Sequence, residues 1–356
     1  MDPLGQGVSK IGDKITFVPK TLPGEEGEAI VVSEKKGVRF LGPPEKFGKL
    51  SDKRIEPVCP HFKFCPSCHF LHTDYKNELS FKKMTLERLL KTEAIVHPAP
   101  ERIHYRNRIQ LHYNLKKEKL GYLDAATHEI VEVPACMIGS KEISETLQSL
   151  YLEKSWKKTV GTGPLEGHLE IYVQNNKAEI HLNKPYSSGG FTQVNSSMNS
   201  LLLEIIEKKT KELSLNEYPF CVDLFGGNGN LTRNISKGSV VVIDGFPDKK
   251  ESLGPHQTFH QIDLFAANFL ELFPPKFSTN IIDLLILDPP RSGFKGLKEF
   301  VHSFSVKNIL YVSCNPATLT RDLNSIGDKF KIKEVHLLDF FPSTYHFETL
   351  VLLKHL

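Results

Sequence analysis

The hydrophobic pattern of the first half of the chain is that of a β-rich protein interrupted by one helix. In residues 1–50, the runs "KITFVPK", "EAIVVSE" and "GVRFLG" are short, β-branched and separated by Gly/Pro turns, which is typical of a small β-barrel. Residues 73–96 carry an apolar stripe at helical spacing. Residues 98–190 then contain four further strand-like runs, "RIQLHYNL", "KLGYLD", "LEIYVQ" and "AEIHLN". The pattern predicts a small β-domain followed by a β-rich central domain.

From about residue 191 the pattern changes to buried strands that alternate with helices. "FCVDLF", "GSVVVID", "IIDLLILD" and "KNILYVS" are short apolar runs, separated by helix-length segments. Such alternation is typical of an α/β domain with a parallel sheet. We therefore expect domains at 1–50, 51–190 and 191–356, and the helix at 73–96 is a candidate for packing on the third of them.

Composition and charge leave the class of partner open. Of the 356 residues, 40% are hydrophobic and 24% charged, and no apolar run approaches the length of about 18 residues that suggests a membrane span. We expect a cytoplasmic monomer with reduced cysteines and no membrane partner. The net charge of +3 permits a nucleic-acid partner without demanding one. The stretch "ERIHYRNRIQLHYNLKKEK" mixes basic and aromatic residues, so it is either a solvated face or an RNA contact.

A glycine-rich turn follows the first strand of the predicted α/β domain. In "VDLFGGNGNLT" (Val222–Thr232), Gly226, Gly227 and Gly229 let the backbone turn tightly and approach a ligand. The next strand ends in Asp244, where a doubly wound fold binds ribose hydroxyls. This arrangement also permits a dehydrogenase, but the turn is not G-x-G-x-x-G. Its Asp-x-x-x-Gly-x-Gly form resembles the S-adenosylmethionine loop of Rossmann-like methyltransferases.

A carboxylate and a cysteine end two later strands. "LLILDPPRSG" places Asp288 before two prolines, at the edge where open α/β sheets bind ligands. A similar Asp/Asn-Pro-Pro-Tyr segment holds the amine in amino-methylating enzymes, but Arg291 replaces the aromatic residue here, which disfavours N-methylation. In "YVSCNPATL", Cys314 follows the next strand. By itself such a cysteine is more often a small buried hydrophobe.

A cysteine beside a methyl donor suits methylation of carbon 5 of uracil in particular. That carbon is a poor nucleophile, but a thiolate that adds to carbon 6 produces an enolate that can take the methyl group. A base must then remove the proton from carbon 5. In "DFFPSTYHFETLVLL", His346 and Glu348 stand just before the final strand and are the candidates.

Three motifs together resemble the RNA 5-methyluridine methyltransferase family. They are "LDPPRSG", "YVSCNPATLTRDL" and "DFFPSTYHFET", in this order, and "FTQVN" (Phe191–Asn195) is similar to the family's entry into its catalytic domain. The resemblance implies Cys314 as the nucleophile and Glu348 as the base. It also implies a Rossmann-like class I methyltransferase domain that contacts S-adenosylmethionine through Gln193, Phe225, Gly227, Gly229, Asn230, Asp244, Asp263 and Asp288.

Four further cysteines indicate a metal cofactor. Cys59, Cys65 and Cys68 form C-x5-C-x2-C, and Cys136 is a distant fourth. Disulfides do not fit a cytosolic chain, and zinc with four thiolates usually takes two C-x2-C-like pairs. Three close thiolates and one distant one suit an iron–sulfur cluster. The resemblance implies a [4Fe–4S] cluster, as in the ribosomal RNA members of the family.

The same resemblance sets expectations for the RNA. It implies an RNA-binding TRAM-like barrel at the amino terminus, truncated because the chain begins at what resembles the end of the first strand. Arg106, Asn107, Arg108 and His346 are the RNA-binding candidates. We expect 23S rRNA as the substrate, with uridine 54 of tRNA as an alternative, since some archaeal tRNA enzymes of the family also carry the cluster. An RNA-binding protein without catalytic activity is a third interpretation.

The interval from Asp244 to Asp263 is short, so we expect a helix there to be lost or reduced.

Overall fold

The computed structural model describes most of the chain, namely residues 1–124, 127–185, 193–213, 215, 217–246 and 253–356. Two sequence predictions fall partly outside the described residues. One is the domain boundary between residues 190 and 191, together with Phe191 and Thr192 of the FTQVN motif. The other is the short interval between Asp244 and Asp263, of which residues 247–252 are not described.

The strands and helices are numbered in chain order. The strands are β1 Gly7–Ile11, β2 Lys14–Val18, β3 Glu26–Glu28, β4 Val31–Lys35, β5 Val38–Leu41, β6 Lys46–Lys49, β7 Ile95–His97, β8 Arg108–Asn114, β9 Lys119–Leu123, β10 Ile130–Val131, β11 Glu166–Gln174, β12 Lys177–Leu182, β13 Phe220–Leu224, β14 Ser239–Asp244, β15 Gln257–Gln261, β16 Leu284–Leu287, β17 Asn308–Ser313, β18 Phe330–Leu338 and β19 Glu348–His355. The α-helices are α1 Tyr75–Leu90, α2 Lys141–Tyr151, α3 Trp156–Val160, α4 Ser196–Glu212, α5 Lys276–Thr279, α6 Leu297–Ser303 and α7 Pro316–Ser325. Short 3₁₀ helices occur at Leu152–Lys154 and Phe269–Leu272.

The chain divides into two compact units, each assembled from separate segments. The first unit contains residues 1–85, 99–196 and 341–346, and the second contains residues 86–98, 197–340 and 347–356. The residues of the predicted 1–50 and 51–190 domains thus lie largely in one unit.

The amino-terminal strands of the first unit form two small sheets. One sheet has the order β1-β2-β5-β4, and β3 pairs with β6 in a separate two-stranded sheet. The predicted strands "KITFVPK", "EAIVVSE" and "GVRFLG" are confirmed as β2, β4 and β5. Several apolar side chains on these strands, including Val8 and Ile15, are about half exposed, so this region buries little apolar surface.

The central part of the first unit is a five-stranded antiparallel sheet of order β10-β9-β8-β11-β12. All four predicted strands in this region are confirmed as β8, β9, β11 and β12. Buried side chains of β8 and β11, such as Leu111 and Ile171, pack with those of α2 and with the buried Trp156. The pattern of alternating apolar residues predicted this half-buried sheet because successive side chains of a strand point to opposite faces.

The predicted helix over 73–96 is shorter in the structure than the pattern indicates. Helix α1 ends at Leu90, Lys91 has a positive φ of 53°, and residues 95–97 form β7. A left-handed residue cannot continue a right-handed helix, so the chain turns there and enters the sheet. Leu86 and Leu90, at the end of α1, lie in the apolar core of the second unit. This agrees with the expectation that the helix packs on the predicted α/β domain.

The second unit is built on an eight-stranded sheet of order β15-β14-β13-β16-β17-β19-β18-β7. The pairs from β15 to β17 are parallel, whereas β19 runs antiparallel to both β17 and β18. Seven of these strands, β13 to β19, come from the predicted α/β domain, and β7, which comes from an earlier part of the chain, adds to β18 as the eighth. The central strands β14, β16 and β17 are buried along almost their whole length, which explains their continuous apolar sequences.

Candidate active site

Strand pairing brings Asp288, Cys314 and Glu348 to one edge of the second unit's sheet. Asp288 directly follows β16, whose last residue Leu287 pairs with Tyr311 of β17. Cys314 directly follows β17, whose last residue Ser313 pairs with Thr349 of β19. Glu348, next to Thr349, opens β19. Because β19 is antiparallel to β17, its beginning meets the carboxyl ends of the parallel strands.

Asn315 fixes the backbone on both sides of the cysteine. It is the N-cap of α7, and its Oδ1 accepts a hydrogen bond from the Ala317 amide at 3.1 Å. Its Nδ2 donates to the Arg291 carbonyl at 3.0 Å, which joins the loop after β16 to the loop after β17. Cys314 therefore lies just before the amino terminus of α7, where the helix dipole favours a negative charge such as a thiolate.

The buried carboxylate of Asp322 forms hydrogen bonds to residues next to both of these loops. The Asp322 side chain accepts hydrogen bonds from the Tyr311 hydroxyl and from the Phe294 amide, both at 2.7 Å. Gly293, with φ of 72°, passes so close that a Cβ there would lie 2.4 Å from an Asp322 oxygen. The Asp322 side chain, which belongs to α7, thus links this helix to strand β17 and to the segment that follows the Asp-Pro-Pro-Arg loop.

Burial and the neighbouring carboxylates hold the Cys314 thiol in the protonated form. Burial first, and then the charges of Glu348 and Asp288, raise the pKa of Cys314 to about 12, while the Arg291 guanidinium acts in the opposite direction. Burial also raises the pKa of Asp288, and it raises the pKa of Glu348 well above its ordinary value, to which the charge of Asp288 adds. One Glu348 oxygen, Oε2, is buried with no hydrogen-bond partner in the part of the chain that the structure describes. A carboxylate in these surroundings is a stronger base than one in water.

The charge of Arg291 is expected to control the reactivity of the free thiol. With a pKa of about 12, the thiolate fraction of Cys314 rises about tenfold per pH unit across pH 7–9, and so should its rate of alkylation. Arg291→Met removes the cation that lowers this pKa, so alkylation should slow several-fold at each pH, whereas Arg291→Lys should stay near the parent rate. Iodoacetamide labelling of the Cys314 peptide, followed by mass spectrometry in the absence of RNA, measures this. A rate that reaches a plateau below pH 9 would contradict the raised pKa.

The glycine-rich turn after β13 is shaped for a ligand. Phe225, Gly227 and Gly229 all have positive φ values, and a Cβ at Gly227 would meet no atom of the described residues within 4 Å. Asp244, at the end of β14, accepts a hydrogen bond from the Gly227 amide at 3.0 Å. Asn230 donates from Nδ2 to Asn199 Oδ1 at 3.0 Å. The turn therefore places exposed backbone beside a partly exposed carboxylate.

Buried polar groups hold this turn in position. Asp223 is fully buried, accepts a hydrogen bond from the Thr232 hydroxyl at 2.7 Å, and has its pKa raised to about 7 by burial. Gln257 donates from Nε2 to the Gly229 carbonyl and to the Thr232 hydroxyl, both at 2.8 Å. These contacts rigidify the turn from the side of the sheet.

Aromatic rings lie next to the turn. The Phe225 ring is 5.5 Å from that of Phe265, which follows Asp263 by two residues and is 57% exposed. The sequence analysis did not single out Phe265. A phenylalanine two residues after a predicted cofactor ligand is the sequence signal that could have identified it.

The remaining predicted residues lie in the first unit. The Gln193 carbonyl accepts a hydrogen bond from Asn107 Nδ2 at 3.0 Å. The His346 ring lies 4.0 Å from that of Tyr345. Arg106 is partly exposed, but Arg108 is only 2% exposed and its guanidinium faces Glu170 at 3.6 Å and the Tyr172 ring at 5.1 Å. Arg108 therefore stabilises the β-sheet in this structure, and its surroundings do not favour contact with a phosphate.

The four predicted metal ligands are gathered in the first unit. Cys59, Cys65, Cys68 and Cys136 are all buried free thiols, and each of the first three interacts electrostatically with Cys136. The Tyr122 hydroxyl donates to the Cys136 sulfur at 3.5 Å.

Hydrogen-bond donors surround these sulfurs. Backbone amides of His61, Phe62 and Met137 interact with Cys59, and the amide and hydroxyl of Ser67 interact with Cys65. Among the described residues, no group of three or more His, Cys, Asp or Glu side chains is arranged to hold a metal ion. A [4Fe–4S] cluster is held by four cysteine thiolates whose sulfurs accept hydrogen bonds from nearby donors. The buried thiols and their donors fit such a cluster.

Comparison with known proteins places the site in context. The model of the tRNA (Uracil-5-)-methyltransferase family matches residues 270–356, which contain Asp288, Cys314 and Glu348. In the described part of the chain, no helix has the length and apolar character needed to cross a membrane.

Similarity to individual proteins extends over the whole chain. The 23S rRNA (uracil(1939)-C(5))-methyltransferases RlmD of Enterobacter sp. (strain 638) and Vibrio parahaemolyticus are 27% and 28% identical, over 99% of this chain and 94% of each relative. The crystal structure of Pyrococcus abyssi tRNA (uracil-54, C5)-methyltransferase in complex with S-adenosyl-L-homocysteine has a TM-score of 0.72 at 21% identity, covering 98% of this chain and all of the other. That likeness shows a shared fold. The family model and the full-length relatives support the RNA uracil-5-methyltransferase family that the sequence motifs resemble.

Proposed function

We propose that this protein is an enzyme that methylates carbon 5 of a uridine in 23S rRNA with S-adenosylmethionine as the methyl donor. The observation that carries the proposal is the convergence of Asp288, Cys314 and Glu348 at one edge of the sheet. The family model covers all three residues, and relatives named as 23S rRNA uracil-C5-methyltransferases align over the full chain.

The cofactor fits the turn after β13. Bound S-adenosylmethionine supplies an electrophilic methyl carbon. The exposed backbone at Gly227, close to the buried Gly229, would take its amino-acid portion, and the Asp244 carboxylate would accept hydrogen bonds from its ribose. We further propose contacts to the cofactor from Phe225, Asn230, Asp263 and Asp288. The contact from Gln193 that the family resemblance implies stays a prediction.

Cys314 and Glu348 divide the reaction between them. The Cys314 thiolate forms a bond to carbon 6 of uracil, and the electron pair of the ring double bond moves to an enolate. Carbon 5 then bonds to the methyl carbon, whose bond to the donor sulfur breaks. Glu348 takes the proton from carbon 5, the double bond re-forms, and the bond from carbon 6 to Cys314 breaks to free the thiolate.

The raised pKa of Cys314 defines what substrate binding must do. The free thiol is protonated at neutral pH, so the thiolate has to form when uracil is bound. Arg291 and the amino terminus of α7 are the groups of this chain that stabilise it. Asp288, whose pKa is raised to about 6 by burial, can accept the thiol proton near neutral pH, which leaves Glu348 for the proton at carbon 5.

The first unit is the proposed RNA-binding part. A uridine within folded RNA must swing out of its base stack before its carbon 6 can reach Cys314. We propose Arg106, Asn107 and His346 as contacts, together with the TRAM-like sheets of β1 to β6, and a [4Fe–4S] cluster on Cys59, Cys65, Cys68 and Cys136. The cluster is needed by no step above, so its proposed role is to hold the cysteine loops together. The expected monomer stays a prediction.

Modification of uridine 54 in tRNA is the second candidate function. It is favoured by the full-length fold similarity to a tRNA (uracil-54, C5)-methyltransferase. The 23S rRNA candidate stands first because the relatives that match in sequence over the full chain, at 27–28% identity, are named as rRNA enzymes, whereas the tRNA enzyme, at 21% identity, supports the fold.

A labelling experiment tests both candidates. Purified protein is offered methyl-labelled S-adenosylmethionine with unmodified 23S rRNA or with unmodified tRNA, and the RNA is digested to nucleosides. We expect label in 5-methyluridine from 23S rRNA only. Label in tRNA alone would replace the substrate proposal and keep the chemistry. Absence of label from both RNAs, with the protein folded, would support the non-catalytic RNA-binding interpretation.

A further inference from the structure

Lys20 extends from the amino-terminal sheet into the group of cysteines. It follows β2, and its Nζ donates hydrogen bonds to the carbonyls of Cys65, at 3.1 Å, and of Cys68. The same ammonium lies 4.2 Å from the centre of the Phe62 ring. Two carbonyl acceptors and one aromatic face, all from the cysteine loop, thus surround a lysine that is distant in sequence.

The backbone around Lys20 is held in place for this contact. Lys20 has a φ of 59°, a left-handed conformation that is strained for a residue with a Cβ. The Arg54 guanidinium donates to the Lys20 carbonyl at 2.9 Å, and Arg54 is itself paired with the buried carboxylate of Glu25. The surrounding structure therefore maintains a strained residue whose side chain is directed to the cysteines.

The charge of Lys20 interacts with three of the four proposed cluster ligands. These are Cys59, Cys65 and Cys68. A [4Fe–4S] core bound by four thiolates carries a net negative charge, and burying such a charge is unfavourable unless a cation is close by. A largely buried ammonium is likewise unfavourable without an anion beside it.

We propose that Lys20 is the cation that compensates the charge of the cluster and attaches the end of β2 to the cysteine loop. This inference rests on the cluster proposed above. Lys20 acts as a positioning residue: it contacts the loop that carries Cys65 and Cys68, and takes no part in methyl transfer. It should make the cluster slower to lose and easier to reduce, because a nearby cation stabilises the more negative reduced state.

The test compares Lys20→Met, which removes the charge, with Lys20→Arg, which keeps it, and with Lys10→Met as an exposed control on the same sheet. Full-length proteins are reconstituted anaerobically, and iron and sulfide are measured. The rate at which visible cluster absorbance is lost to an iron chelator is then recorded, together with the midpoint potential. We expect several-fold faster loss and a more negative potential for Lys20→Met, and values near the parent for the other two.

Three outcomes would overturn the proposal, and they are distinguishable. If the parent protein takes up no iron, the cluster and this role for Lys20 both fall. If the parent is loaded and Lys20→Met has the same loss rate and potential, only the role of Lys20 falls. If Lys20→Met lowers the thermal stability of the chelated apoprotein as much as that of the loaded protein, its role is packing rather than charge compensation. We expect the loss of stability mainly in the loaded form.

Discussion

Cys314→Ala should abolish methyl transfer and covalent capture of RNA together. Without the thiolate, carbon 5 of uracil has no route to an enolate, so the rate should fall by roughly three orders of magnitude or more. The measurement uses RNA that contains 5-fluorouridine with S-adenosylmethionine: fluorine cannot leave as a proton, so the parent protein should accumulate an adduct that survives a denaturing gel.

The matched control is Cys221→Ala. Cys221 is a fully buried thiol within β13, and the structure gives it no role at the edge of the sheet. This variant should keep adduct formation and turnover. An adduct that survives Cys314→Ala, with RNA bound normally, would exclude Cys314 as the nucleophile and leave the covalent mechanism without its central residue.

The sequence was sufficient to predict that Asp288 and Cys314 lie at one edge of the sheet, because this placement depends on the positions of the strands and not on individual side-chain contacts. Asp288 and Cys314 each follow a continuous apolar run, and such runs are readable as buried parallel strands without knowledge of their neighbours. The carboxyl ends of parallel strands meet at one edge whatever the details of packing. Glu348 was identified through the family resemblance, since an acid that opens a strand has no distinctive local pattern.

Charged residues that are buried by tertiary contacts could not be predicted in the same way. In α1, Glu78 and Lys82 are both almost fully buried and form an ion pair with 2.8 Å between charged atoms. Glu78 also accepts a hydrogen bond from the Ser343 amide, a partner 265 residues away. No periodicity in a single helix reveals such a partner.

The same reason explains the residues whose surroundings the sequence did not show. Arg108 stood in a basic, aromatic stretch that favoured RNA contact, but its buried partner Glu170 lies on another strand. Lys20 and the cysteine loop are more than forty residues apart in sequence. The influence of Arg291 on Cys314 likewise appears only once the two loops are joined by Asn315.

Glu348→Gln should separate the two halves of the reaction. Attack by Cys314 and methyl transfer need no base at carbon 5, so an adduct should still form, but the proton cannot be removed and the enzyme cannot be released. Turnover should fall by about two to four orders of magnitude while a methylated adduct accumulates on RNA that contains ordinary uridine. Gel mobility under denaturing conditions and the mass of the adduct measure this.

The pH dependence of enzyme release, measured beside a control variant at the surface, tests whether Glu348 itself is the base. Burial raises the pKa of Glu348, and the carboxylate must be ionised to accept the proton, so release by the parent should quicken as pH rises through that raised pKa. In Glu348→Gln this dependence should be lost, whereas Glu299→Gln, at an exposed position of α6, should retain it. Unimpaired turnover in Glu348→Gln would exclude Glu348 as the base, and the proton would then have to leave by way of Asp288, whose pKa is also raised by burial.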